Sequence, residues 1–373
     1  MKMSIPPEIE ESEVVVEYRE GRSTSSDRIG PLDGLRAVAA LSVLIHHIAG
    51  NILPGGYIGV DLFFVISGYI ISASLLTESE KTGTISISGF YKRRVVRILP
   101  ALVATIAGAV LLATAFPAQW ARSGTIGTDV ALALLSATNW RNAFLPDDGS
   151  LLSHTWSLGI EEQFYLFWPL CLLLLLRGKK HVTTWLFLAL AAVTLWRMIL
   201  FVNDASHARI YNGFDTRADA LLIGCVMAKI GIGNLPSWLL RPWQVPTMIL
   251  AVILLFVPGW WRIMDGPGLT ITAFASAWLI ACAIGNKSTL SRMLSHRYAQ
   301  WVGLRSYSIY LWHVPILLTL REMQWQLRIL GPAVVVATLV AAHLSYELVE
   351  QPVQRWFRSR RDRLERLEAH AAP

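Results

Sequence analysis

Apolar residues run through this chain in long blocks broken by short polar hinges. A helix needs roughly 20 mainly apolar residues to cross a hydrocarbon core about 30 Å thick. Ten blocks approach or reach that length: 34–52, 58–77, 98–117, 157–176, 182–202, 216–231, 243–260, 268–285, 305–322 and 330–350. An eleventh, from Asp129 to Trp140, has about 12 residues, or roughly 18 Å of helix. It is too short to cross and predicts an interfacial or re-entrant helix. The pattern therefore predicts an all-α, polytopic membrane fold of ten transmembrane helices.

The basic residues orient these spans, because cytoplasmic loops of membrane proteins collect Lys and Arg. With the N-terminus inside, Lys92, Arg93, Arg94 and Arg97 follow the second span on the inner side. Arg177, Lys179 and Lys180 follow the fourth, and Lys287, Arg292 and Arg297 the eighth. The tail after Pro352, with Arg355, Arg358, Arg360, Arg361, Arg363 and Arg366, also falls inside. Between 118 and 156 the only basic residues are Arg122 and Arg141. Counting 127–140 as a full span would export most of these clusters, so ten spans with both termini cytoplasmic is the better solution.

Composition agrees with that class. Of 373 residues, 54% are hydrophobic and only 16% charged, and the mean hydropathy is +0.46. A soluble domain carries about 25% charged residues, so a water-soluble enzyme, a disordered chain and a disulfide scaffold are excluded. The net charge of +7 follows from topology, with the basic loops meeting the lipid bilayer's anionic headgroups; no motif supports nucleic-acid binding. Cys171, Cys225 and Cys282 each sit in an apolar run without a CxxC pair, so neither a disulfide framework nor a metal site is read. Residues 1–33 are acidic and polar, lack a basic signal-peptide start and predict a disordered cytoplasmic extension. Residues 34–351 form the membrane domain and 352–373 the basic cytoplasmic tail.

Ionisable residues inside spans cost about 2.5–3.5 kcal/mol on insertion scales and point to function. Arg36 and His47 are 11 residues apart, about 1100° of helix, so they share one face roughly 16 Å apart along the axis. Asp61 opens the second span from the outer side, beside the outer end of the first across the short hairpin 51–57. A carboxylate there can hold the His47 ring in one tautomer. Ser153-His154-Thr155 leads into Glu161, Glu162 and Tyr165 at the outer end of the fourth span, and Arg217 and Asp219 enter the sixth span from outside. Structural ion pairing and a substrate site both fit that group. On the inner side, Arg94 and Arg97 are i, i+3, a spacing that lets two guanidinium forks converge on one polyanion, with Arg93 adjacent. The phosphates of a cytoplasmic nucleotide cofactor fit them, although the sequence has no Walker or GxGxxG motif. Tyr310 and His313 stand at mid-membrane in SYSIYLWH, where they either line a passage between faces or bridge two helices.

Taken as a set, these strings resemble the acyltransferase-3 family of integral membrane O-acyltransferases over nearly all of 31–352. The matching strings are LDGLRAVAALSVLIHH, GVDLFFVISGYII, FYKRRVVRILP, HTWSLGIEEQFYLFWP, TRADALLIG, SYSIYLWHVPI and SYELVEQP, in that order. The resemblance implies transfer of an acyl group, usually acetyl from acetyl-CoA, to a hydroxyl of a sugar or glycan, or in some members of a macrolide. The family's Arg–x10–His falls on Arg36 and His47, its RxxR on Arg94 and Arg97, and its acidic position after WSL on Glu161. Many polysaccharide-acetylating relatives carry a C-terminal esterase-like SGNH domain, whereas this chain ends in a short basic tail. That weakens a peptidoglycan assignment and leaves an exopolysaccharide, a glycolipid, a lipid-linked oligosaccharide or a natural product as the expected acceptor.

Residues and resemblance together give one expectation, in a bacterial cytoplasmic membrane. Acyl-CoA docks from the cytoplasm on Arg93, Arg94 and Arg97, and its pantetheine arm passes Tyr310 toward His47. His47, oriented by Asp61, then serves as general base or carries the acyl group itself. Glu161, Glu162, Tyr165, Arg217 and Asp219 face the acceptor, with Arg217 or Tyr165 as a candidate oxyanion donor. A proton-coupled transporter would use similar buried charges, but such folds carry paired repeats and this sequence has none visible.

Overall fold

A computed structural model describes residues 29–116, 126–145, 149–178, 181–322 and 326–371. Among the described residues the protein is helical throughout, with no strand. Ten principal helices lie at the ten predicted positions: α1 Gly30–Ile48, α2 Gly59–Thr82, α3 Ile87–Ala115, α4 Trp156–Arg177 and α5 Val182–Val202, then α6 Phe214–Ile230, α7 Gln244–Phe256, α8 Leu269–Gly285, α9 Ser306–Glu322 and α10 Leu327–Ser345. Among the described residues seven segments, those containing α2, α3, α4, α5, α7, α8 and α10, are long and apolar enough to cross a bilayer. The chain is thus a multi-pass membrane protein.

The other three helices are informative. α6 and α9 have 17 residues each, and α1 carries Asp33, Arg36, His46 and His47. All three deliver ionisable groups to the interior, which lowers their apolar content. α2 is central, with 83% of its apolar window buried inside the protein, whereas the window of Ser237–Phe256 is only 6% buried. The peripheral helices present Leu, Phe, Trp and Val outward, as lipid contact requires.

Local chemistry sets the ends of the elements. Gly83, at φ 76, closes α2 in the left-handed region, and the Ser86 hydroxyl caps α3 by accepting from the Gly89 N–H at 3.2 Å. α3 begins 11 residues before the predicted span, so Arg93, Arg94 and Arg97 ride on the helix itself. The predicted single helix at 129–140 is instead two, Ile126–Leu134 and Thr138–Phe144, broken where Ser136 takes φ 55. At the other end, a widened π turn at Tyr346–Glu350 precedes Pro352 and lets the helix continue as Gln351–Ala371. The acidic extension lies outside the described residues as far as residue 28, as do Arg122, Lys179 and Lys180; Gly30 to Asp33 form the first turn of α1 rather than part of a disordered segment.

α2 and α6 pack backbone to backbone. A Cβ on Gly68 would overlap the Leu221 carbonyl oxygen, and one on Gly224 would overlap that of Val65. Without side chains at these two positions the helices approach closely and in parallel. The start of α6 is thereby set against the start of α2, where the buried charges lie.

Candidate active site

Five helices line an open cavity of about 820 Å³, its mouth included. α1 contributes Arg36, α3 contributes Arg94 and Arg97, α4 contributes Glu161, Glu162 and Tyr165, and α9 contributes Tyr310, with Ser67 of α2 in the wall. Arg94 lies over the rings of Phe90 and Tyr165, at 5.3 and 5.5 Å from their centroids; aromatic faces attract a cation and fix its plane. Glu161 accepts from the Ser67 hydroxyl at 2.9 Å and the Tyr165 hydroxyl at 3.0 Å. Glu162 accepts from the Ser136 hydroxyl, at the break between the two short helices. The Gln163 amide bonds the Ser136 carbonyl at 2.7 Å and Asn139 Oδ1 at 2.9 Å, so that break is docked on α4 beside the cavity.

Arg93 does not line the cavity. It pairs with Glu78 at 3.0 Å, because one residue turns the helix by about 100° away from the face that Arg94 and Arg97 share. Arg36 does line it and pairs with Asp33 one turn earlier at 3.3 Å.

The predicted outer group divides in two. Glu161, Glu162 and Tyr165 belong to the arginine-lined cavity. Arg217 and Asp219 belong to a separate buried charge cluster: Arg217 pairs with Asp61 at 3.1 Å and Asp219 with Arg197 at 2.8 Å. Arg217 also stands over the Tyr211 ring at 4.9 Å. Two cations and two anions buried together leave no net charge to be solvated. Asp61 is thus the partner of Arg217, and the expected Asp61–His47 pairing is replaced by another. A carboxylate 1% exposed among apolar side chains needs a cation, and α6 supplies one.

The His47 ring lies at hydrogen-bond distance from the His313 ring on α9, with Nε2 to Nδ1 at 3.2 Å and ring centroids 5.0 Å apart. The His47 ring is exposed, while His313 is buried. His154 and Tyr310 complete the cluster, with His154 5.4 Å from His313 and 5.7 Å from Tyr310, centroid to centroid. The Tyr310 hydroxyl donates to the His154 carbonyl at 2.8 Å and receives from Ser157 at 2.6 Å. Tyr310 therefore faces the cavity on one side and the histidines on the other. His47 does not itself line the cavity; His313, His154 and Tyr310 stand between.

Arg197 and Ser67 join the residues named from the sequence, and His154 and His313 take their place beside Tyr310. Arg197, fully buried, was signalled by a lone cation in the apolar run Leu195-Trp196-Arg197-Met198. Ser67 carried no signal. Among the described residues no group of His, Cys, Asp and Glu has an arrangement that holds a metal ion.

The chain is 33% identical over 349 residues to the peptidoglycan O-acetyltransferase OatA of Listeria monocytogenes, an alignment covering 87% of this chain and 55% of that protein. It is 31% identical over 349 residues to the O-acetyltransferase OatA of Staphylococcus aureus, covering 87% and 57%. The chain thus spans about half the length of the curated relatives it matches. No solved structure matches it at a significant level. The acyltransferase-3 family model, described as an acyltransferase domain, matches residues 29–347, and the chain belongs to that family.

Proposed function

We propose that this chain is a membrane O-acyltransferase that moves an acetyl group from cytoplasmic acetyl-CoA to a hydroxyl of a cell-envelope saccharide. The observation that carries this reading is the cavity itself, with Arg36, Arg94 and Arg97 in its lining and Tyr310, the ring that packs on His154 and His313, in its wall. Guanidinium forks suit the phosphates of CoA, and the long pantetheine arm suits a cavity running between helices. Tyr310 and His313 stand between the cavity and His47, so the thioester must pass that wall to reach the His47 ring. His47 then takes the proton of the acceptor hydroxyl while that oxygen attacks the thioester carbonyl; the carbon–sulfur bond breaks and CoA leaves as its thiol.

In this reading ten helices cross a bacterial cytoplasmic membrane, both ends of the chain are cytoplasmic, and the exposed His47 ring meets the acceptor at the outer end. Glu161, Glu162 and Tyr165 shape the donor cavity. The relatives' names bring peptidoglycan back beside exopolysaccharide and glycolipid as an acceptor class, and all three share the saccharide hydroxyl.

The test is acetyl transfer from radiolabelled acetyl-CoA to envelope glycans in proteoliposomes. His47→Ala should abolish transfer while thermal stabilisation by CoA persists. Wild-type turnover in folded His47→Ala would refute the mechanism, and absence of any CoA stabilisation in the wild type would refute the donor.

A further inference from the structure

We infer that His313 is the positioning residue that fixes the tautomer of His47, the role first expected of Asp61. The inference rests on the proposed role of His47 as base and is read from which atoms accept. His313 Nδ1 lies 2.5 Å from the Tyr310 carbonyl oxygen. A carbonyl oxygen accepts and never donates, so this nitrogen holds the proton and the neutral ring keeps its lone pair on Nε2. That lone pair stands 3.2 Å from His47 Nδ1. His47 Nδ1 is also 3.0 Å from the Val43 carbonyl oxygen. Both neighbours of this nitrogen are acceptors, so the proton of neutral His47 sits on Nδ1. Nε2 is left as the basic atom, on a ring that is exposed.

A proton gained at Nε2 makes His47 an imidazolium, and its Nδ1–H becomes a charged donor to both acceptors, a stronger bond than the neutral one. The surroundings hold His313 in place to receive that bond. It is 1% exposed, and the rings of Tyr310 and His154 pack against it at 5.4 Å. Asp61 is committed elsewhere by Arg217.

The test compares the full chain with His313→Phe and His313→Gln, purified and reconstituted in nanodiscs. Phe keeps a ring but offers no lone pair, whereas Gln presents an oxygen that accepts. His313→Phe should lower kcat by about 100-fold, the lower end of what a positioned base contributes, with KM for acetyl-CoA unchanged. His313→Gln should recover at least about tenfold of that loss. Wild-type kcat in His313→Phe overturns the inference, as does a His313→Gln enzyme no better than His313→Phe. Nitrogen-15 NMR of histidine-labelled protein reads the tautomer directly, the His47 signals being identified by their loss in His47→Gln. The wild type should carry the His47 proton on Nδ1, and a proton on Nε2 overturns the inference. If the wild type transfers no acyl group yet shows that tautomer, the tautomer assignment stands and the proposed function falls.

Discussion

Asp61 Oδ1 lies 3.1 Å from Arg217 Nη2, and each side chain is 1% exposed. The pair joins the first turn of α2 to that of α6, and the Arg197–Asp219 pair ties α6 to α5. Removing one member of a buried ion pair leaves an uncompensated charge and costs about 3–5 kcal/mol. Asp61→Asn and Arg217→Gln should each lower the thermal unfolding midpoint in nanodiscs. The double variant should lose less than the sum of the two, because the members of the pair are coupled. Additive losses would show that the two groups do not stabilise the fold as a pair.

Arg94 and Arg97 face the cavity and Arg93 faces Glu78, which separates three neighbouring cations by role. A hydrogen bond to a charged group contributes about 1.5–3 kcal/mol, equivalent to about 10- to 150-fold in affinity. Arg94→Gln and Arg97→Gln should raise KM for acetyl-CoA within that range. Arg93→Gln should leave KM within about twofold, since a partly exposed ion pair contributes at most about 1 kcal/mol. Equal KM effects at all three positions would mean that the cations act as a diffuse basic surface.

Backbone contact between α2 and α6 makes Gly68 and Gly224 intolerant of side chains. A Cβ at Gly224 would also meet the Tyr69 backbone nitrogen at 2.6 Å, and backbone cannot yield as a flexible side chain does. Overpacking of this kind costs typically about 1–3 kcal/mol. Gly224→Val should reduce the yield of monodisperse protein and lower its unfolding midpoint. Gly83→Ala should show a small loss arising only from its φ of 76, because a Cβ there meets nothing within 4 Å.

The helices and the shared face of Arg94 and Arg97 could be read along the chain, since apolar run length and i, i+3 spacing are local properties. What the run of residues does not encode is rotation of one helix against another. Asp61 is close to His47 along the chain, yet its carboxylate turns to α6, more than 150 residues later in the sequence. Glu161 and Arg217 both follow an outer loop in the sequence, but Glu161 meets Ser67 in the arginine-lined cavity and Arg217 meets Asp61 in the charge cluster. Arg197 is a lone cation in an apolar run, and its charge is met by Asp219, from the following helix. His313 stood beside Tyr310 in the sequence, but its contact with His47 bridges 266 positions.

The ends of α2 give the clearest check on orientation. Its 24 residues make about 36 Å of helix, more than a hydrocarbon core of about 30 Å, long enough to set positions 52 and 84 on opposite sides of the membrane. Both are exposed. Cys171 is the exposed native cysteine, while Cys225 and Cys282 are buried, so Cys171→Ser provides a quiet background. In intact cells an impermeant maleimide should modify Ile52→Cys, whereas Thr84→Cys should react only after permeabilisation. The reverse pattern would turn the arginine-lined cavity mouth away from the cytoplasm, where CoA is made, and would refute the donor assignment together with the orientation.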